Sequence, residues 1–211
     1  MVTLAVLIFG SYLLGSIPFG YLAGRLRGID IRQAGSGNIG ATNVVRVLGK
    51  RYGYPVFVLD VLKGFGAVKI SMVIAPGQPP EWNSPEIFGI LAGISSFLGH
   101  LYPPWLTFKG GKGVATSAGA LLALTPMATL VGVAVWIIVF WLTRYVSLAS
   151  MTAAIALPIV ILAVNWKDRN NVKPLVCSSA IVAAVVIWRH RSNLSRLTRG
   201  TEQRFAPKRE L

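Results

Sequence analysis

The chain has 211 residues, 54% of them hydrophobic and only 13% charged, with 21 Lys and Arg against 7 Asp and Glu for a formal net charge of +14. A water-soluble domain carries about a quarter charged residues. Residues 1–24, 87–108, 113–143 and 145–166 hold no Asp, Glu, Lys or Arg at all, and uncharged apolar runs of about 18 residues or more are of membrane-crossing length, which excludes a soluble helical bundle.

The basic excess would suggest nucleic acid in a soluble protein. No nucleic-acid-binding motif is present, and no stripe of aromatics among basic residues lies outside the apolar runs, so no nucleic-acid partner is expected. In a membrane protein the same excess marks cytoplasmic loops. The first run, about 3–24, has no basic residue before Arg25 and ends in Arg25 and Arg27 rather than a small-residue cleavage site. It is expected to be a first transmembrane helix with its N-terminus outside, not a cleaved leader.

Next comes "AGSGNIGATNVVRVLGKR", residues 34–51. Gly35, Ser36, Gly37 and Gly40 free the backbone to turn N–H groups toward a ligand, and residues 41–48 can form a short helix. A glycine loop feeding a helix N-terminus is an anion site or, equally, a capped connector. Ser36, Thr42 and Asn43 add polar groups, and Arg46 offers a planar fork for phosphate. The second span, about 54–76, carries Asp60 and Lys63 three residues apart, a pair expected to satisfy each other's charge. The third, about 87–106, carries His100 toward its cytoplasmic end, where it could serve function or orient the following loop.

That loop is "FKGGKGVAT", residues 108–116. N–H groups freed by Gly110, Gly111 and Gly113 can form an anion nest, with Lys112 as a point charge and a helix N-terminus after it. Lys109 and Lys112 also fit plain topology signalling, but that leaves the interleaved glycines unexplained. The spacing is not that of a nucleotide loop. The run 113–143 would reach about 46 Å as one helix, against a hydrocarbon core of about 30 Å, and Pro126 marks a break. Spans at about 146–165 and 174–189 follow. Ser147 and Ser150 sit at helix-packing positions, the tryptophans are read as interface anchors or packing, and the single Cys177 excludes an internal disulfide and is expected to be buried.

The tail, "WRHRSNLSRLTRGTEQRF", reads as a helix on which His190, Asn193, Leu194 and Leu197 share a face. The leucines would seat it, His190 and Asn193 would point inward, Gly200 would stop it, and Glu202 would pair with an arginine. Splitting 113–143 in two gives seven spans. Arg25, Arg27, Arg32, Arg46, Lys50, Arg51, Lys109, Lys112, Arg144 and the basic tail then all face the cytoplasm, leaving Lys167, Arg169 and Lys173 outside. The expectation is an all-α integral membrane protein of seven transmembrane helices, N-terminus outside and C-terminus cytoplasmic. It forms a single membrane-embedded domain over 1–211, with a basic tail at about 190–211. The three polar stretches fall on one face, which suggests phosphorylated substrates. A transporter for a phosphorylated anion would instead place polar groups at the midplane and on both sides.

No D-x-x-D-G pattern is present, and neither histidine is followed at the fifth position by Asp: Trp105 and Ser195 stand there. The ordered blocks "GSIPFGYLAG", "GSGNIGATNVVRVLGKRYG", "DVLKG", "LGHLYPPWLTFKGGKGVAT", "RYVSLAS" and "RHRSNLSRLTRGTE" resemble the bacterial acyl-phosphate:glycerol-3-phosphate acyltransferases, the PlsY family, from about residue 10 to 204. The loops 77–86 and 166–173 carry no motif. The resemblance implies a seven-helix enzyme of the bacterial inner membrane, its site toward the cytoplasm, that moves a fatty acyl group from acyl phosphate to the 1-hydroxyl of sn-glycerol 3-phosphate. Lysophosphatidic acid and phosphate would result, without metal or cofactor.

Carried over by motif, Ser36, Arg46, Lys112, His190 and Asn193 become candidate catalytic residues. Gly37, Asn38, Gly40, Thr42, Asn43, His100, Lys109, Gly110, Gly111, Gly113 and Ser150 become candidates for substrate binding, and Asp60, Lys63 and Glu202 for structural support. Either His190 or an acyl-phosphate oxygen takes the hydroxyl proton, and the resemblance favours the second. Membrane lipid and the enzyme that makes acyl phosphate are the further expected partners.

Overall fold

A computed structural model describes residues 2–74, 84–168 and 172–205. Most of the motif-free loop 77–86, Arg169 and the tail residues Lys208 and Arg209 lie outside the described residues. The described residues divide into two compact units, 2–124 and 125–205. Both are helical, with no strand among the described residues.

The first unit holds α1 (Val2–Ser16), α2 (Phe19–Arg25), α3 (Ala41–Leu48), α4 (Lys50–Ile74), α5 (Pro85–Leu101) and α6 (Val114–Leu124). The expected first span is split between α1 and α2. Pro18 has no N–H to donate and disfavours helix at Ile17 before it, so the chain turns and restarts with Leu22 N–H bonded to the Pro18 carbonyl at 3.0 Å. The long pairings are α1 on α5 and α4 on α6 and α5. They are made backbone against backbone. A Cβ on Gly15 would collide with the Ser96 carbonyl and one on Gly99 with the Tyr12 carbonyl, and Gly64 and Gly119 meet Thr116 and Val61 in the same way. Small residues that let helices touch replace the hydrophobic drive that is missing between helices in lipid.

The second unit holds α7 (Pro126–Thr143), α8 (Val146–Val164), α9 (Lys173–Arg189) and α10 (Arg191–Thr198). The run 113–143 is thus two helices, broken at Thr125, with Pro126 in the first turn of α7, where its missing N–H costs nothing. α8 packs on α7 and α9. Trp136 donates its indole N–H to the Ser150 hydroxyl at 3.1 Å, and Ser150 donates to the Val146 carbonyl at 2.8 Å. The outer face of α7 exposes Leu130, Ile137, Ile138 and Trp141, a surface that suits lipid rather than water. Cys177, expected inside, is exposed on α9.

Among the described residues, length and composition mark four membrane-crossing stretches: Val2–Arg25, Pro85–Leu106, Pro126–Thr143 and Val146–Val164. The pair α9 and α10, bent by 58°, makes a fifth if taken as one. Of the other two expected spans, α4 is 25 residues long but carries Lys50, Arg51, Asp60, Lys63 and Lys69, and α6 has only 11 residues.

Candidate active site

In the first unit the loop before α3 is organised by Asn43. Its side chain is buried. Its Oδ1 accepts the Ser36 N–H at 2.8 Å, and its Nδ2 donates toward the carbonyls of Ile31, Ala34 and Asn38 at 3.2, 3.0 and 2.9 Å. Asn43 therefore ties the loop into shape with both ends of its amide. Gly35 and Gly37 take the left-handed backbone this needs, at φ 60° and 70°. The Gly37 N–H goes to the Ala34 carbonyl and the Gly40 N–H to Asn38 Oδ1.

Gly40 lends no capping side chain, so the N–H groups of Ala41 and Thr42 stand open to an anion at the positive end of the helix. Ser36 is exposed beside them in sequence. Arg46, in the last turn of α3, makes no side-chain hydrogen bond or ion pair with a described residue. Arg32, by contrast, is committed: it grips Asp30 with two prongs at 2.9 and 2.7 Å and lies over the Tyr21 ring at 4.8 Å. That hydrogen bonding pulls the Asp30 carboxyl down to a pKa of about 2.

The glycine loop corrects the nest reading. The N–H groups of Gly110 and Gly111 are spent on the carbonyls of Leu101 and His100, at 3.0 and 3.1 Å, which finishes the end of α5. The glycines serve packing. A Cβ on Gly111 would collide with His100 Nε2, and one on Gly113, at φ 81°, with the Phe97 ring. Gly111 and Gly113 are buried and Lys112 between them is half-buried, whereas Lys109 is exposed. Leu106, leading into this loop, shares one apolar cluster with Ile31, Ile39 and Val44 of the first loop and α3. Both polar stretches of this unit therefore rest on the same core.

Behind the loop lies a buried ionic cluster. Lys63 Nζ sits 2.7 Å from Asp60 Oδ1, 2.9 Å from His100 Nδ1 and 2.9 Å from the Ile17 carbonyl. The carboxylate contact is an ion pair without hydrogen-bond alignment. All three side chains are at least nine-tenths buried. The Ile17 carbonyl was not foreseen, although Pro18 in an uninterrupted apolar run was its signal: the break frees a carbonyl to accept.

In the second unit Glu202 is the hub. Its Oε1 accepts from Ser147 Oγ at 2.7 Å and Asn193 Nδ2 at 2.6 Å, and its Oε2 from Arg196 Nε at 2.7 Å. Burial opposes ionisation of Glu202, but the hydrogen bonds from Asn193, Ser147 and Arg196 outweigh it and hold its pKa below the ordinary 4.5. Ser147, at a position the sequence assigns to helix packing, is one of these donors.

His190 is the joint between α9 and α10, which are bent by 58° there, where the span expected at about 174–189 gives way to the tail helix. Leu194, expected to seat that helix, is exposed. His190 and Asn193 are buried. His190 Nδ1 lies 2.8 Å from the Val186 carbonyl; a carbonyl only accepts, so Nδ1 carries a proton. Gly200, at φ 69°, follows the end of α10, and the segment beyond folds back, the Phe205 N–H bonded to the Arg144 carbonyl at 2.8 Å.

The sequence profile of the glycerol-3-phosphate acyltransferases matches residues 5–200. The chain belongs to the glycerol-3-phosphate acyltransferase family. A protein of that name from Geotalea daltonii is 44% identical over 200 residues, spanning 95% of this chain and 96% of its own. One from Aquifex aeolicus is 42% identical over 205 residues, spanning 94% and 97%.

The fold agrees. A crystal structure of PlsY (YgiH), an integral membrane glycerol 3-phosphate acyltransferase in its glycerol 3-phosphate form, is 41% identical and covers 97% of this chain and 96% of its own, with a TM-score of 0.85. The lysophosphatidic acid form gives 40% identity and a TM-score of 0.81 over the same shares. The all-helical, multi-pass membrane architecture expected from composition is therefore that of the family.

The Glu202 hub makes a pH-dependent prediction. Its pKa is lowered on folding, so its contribution is fully present above the ordinary value of 4.5 and is lost as pH falls through the folded value. Protection of residues 200–205 relative to the intrinsic exchange rate should therefore fall below about pH 4.5 in the wild type. Glu202→Gln should weaken protection at neutral pH by about 1–3 kcal/mol and lack the acid step. Identical exchange in both proteins across this range would remove Glu202 from the role.

Proposed function

We propose that the chain transfers a fatty acyl group from acyl phosphate to the 1-hydroxyl of sn-glycerol 3-phosphate, giving lysophosphatidic acid and inorganic phosphate. The observation that carries this is the full-length likeness to PlsY in its glycerol 3-phosphate form. Family membership supplies the enzyme class; acyl phosphate as donor is what the resemblance to the PlsY family implies, and the chemistry of the residues suits it. Acyl phosphate is a mixed anhydride with phosphate as leaving group, so activation needs positive charge and positioning rather than a cofactor.

Arg46, the exposed Ser36 and the open amides of Ala41 and Thr42 would hold the acyl phosphate, with Asn43, Asn38, Gly37 and Gly40 shaping the loop. Lys112, between Gly111 and Gly113, would take the phosphate of glycerol 3-phosphate, with Lys109, Gly110 and Ser150 also candidates at the substrate. The 1-hydroxyl oxygen attacks the acyl carbonyl carbon, the bond from that carbon to the phosphate oxygen breaks, and phosphate leaves with the electron pair. The hydroxyl proton passes to a phosphate oxygen. In the second unit His190 and Asn193 remain the motif's candidates for the hydroxyl, and Glu202 fixes the Asn193 amide.

In purified protein, product should form from palmitoyl phosphate and from neither palmitoyl-CoA nor palmitoyl carrier protein, unaffected by chelator, and Lys112→Ala should abolish it. His190→Gln should keep turnover within about tenfold. A loss of about a hundredfold or more, the size of a general-base contribution, would make His190 the base instead.

The site is assigned to the cytoplasmic side of the bacterial inner membrane. The arrangement is seven spans with α4 and α6 among them, one domain over 1–211, the N-terminus outside, and a basic face open to the enzyme that makes acyl phosphate. The placement of basic residues supports this through the positive-inside rule. In a Cys177→Ser background, a cysteine at Lys173 should react with an impermeant maleimide in intact spheroplasts and one at Thr201 only after lysis. The reverse pattern would invert the topology.

A further inference from the structure

We propose that His100 is a positioning residue for the glycine loop, and that the buried Asp60–Lys63 pair acts through it to fix where Lys112 stands. The proposal rests on the reading of Lys112 as the cation for glycerol 3-phosphate.

Lys63 Nζ lies 2.7 Å from Asp60 Oδ1 and 2.9 Å from His100 Nδ1, and that ring nitrogen is itself 3.6 Å from the same carboxylate oxygen. The Ile17 carbonyl, at 2.9 Å, holds the ammonium from a third direction. The ring is thus fixed at its Nδ1 edge, and its Nε2 edge occupies the space a Gly111 side chain would need.

The main chain of the same residue accepts the Gly111 N–H at 3.1 Å, and its neighbour Leu101 accepts the Gly110 N–H at 3.0 Å. Phe97, one turn earlier on α5, supplies the surface under Gly113. The last turn of α5 is therefore a mould for residues 110–113, and the imidazole is the one wall of it set by a charge. Apolar side chains of similar volume would join α4 to α5 as well as this ion cluster does. They would not give a directional grip on the ring. Without that grip the ring turns, Gly111 loses its wall, and Lys112 next to it shifts against the substrate phosphate, where small displacements are costly.

The test uses the full chain in detergent with acyl phosphate and glycerol 3-phosphate, together with hydrogen exchange at residues 109–114. His100→Asn keeps an acceptor for Lys63 but removes the Nε2 edge. It should raise KM for glycerol 3-phosphate about tenfold or more, change kcat by less than about threefold, and speed exchange at 110 and 111 while leaving α1 protected. Gly111→Ala, which pushes the loop off the ring, should give the same signature. The double variant should be no worse than either single one, because both break one contact. Lys63→Met, which removes the group that holds the ring, should raise KM for glycerol 3-phosphate in the same way; should it fail to fold, the other two variants still decide the matter.

Unchanged KM and unchanged exchange at 110 and 111, with only a lower melting temperature, would overturn the proposal and leave the cluster a purely structural tie. If exchange responds as expected but the wild type makes no lysophosphatidic acid, the positioning of the loop stands and the assigned substrate falls.

Discussion

The first unit depends on one ammonium group. Lys63 is buried within a helix of membrane length, where an unpartnered charge is costly. Three elements meet it: a carboxylate one helical turn away on α4, an imidazole at the end of α5, and a carbonyl released where α1 gives way to α2. Pro18, Asp60 and His100 are far apart in the sequence and answer the same demand. An ion cluster of this kind contributes little net stability against apolar packing. What it supplies is direction, at the root of the loop that carries Lys112.

The two polar stretches of this unit are built by different means onto one core. The first is drawn in by Asn43, which uses both ends of its amide on the loop and leaves the amides at the start of α3 facing outward. The second is held by carbonyls at the end of α5 and by glycines small enough to lie against His100 and Phe97. Leu106 and Val44 join their apolar undersides. In the second unit the same task falls to a carboxylate, with Glu202 gathering Ser147, Asn193 and Arg196.

The apolar runs, the short helix at 41–48 and the break before Pro126 were legible because each follows from local rules: run length, glycine before helix, proline at a first turn. The residue types of the site were legible from the ordered motifs. The uses of those residues were less so. Whether a glycine N–H faces a ligand or finishes another helix depends on what lies behind it, and Gly110 and Gly111 lie on α5. The bend at His190 has no proline or glycine to announce it. Cys177 faces outward because in lipid the exposed side of a helix is as apolar as the buried one, and hydropathy does not separate them.

The central claim is that two separate phosphate sites serve one transfer, with Lys112 holding glycerol 3-phosphate and Arg46 the acyl phosphate. It is tested most directly by calorimetric titration of glycerol 3-phosphate into the purified protein, the Lys112→Ala variant and the Arg46→Ala variant, without donor. The account predicts saturable binding to the wild type, binding weakened tenfold or more in Lys112→Ala (about 1.4 kcal/mol per tenfold), and little change in Arg46→Ala. Equal binding by the wild type and Lys112→Ala, or loss only in Arg46→Ala, would contradict it.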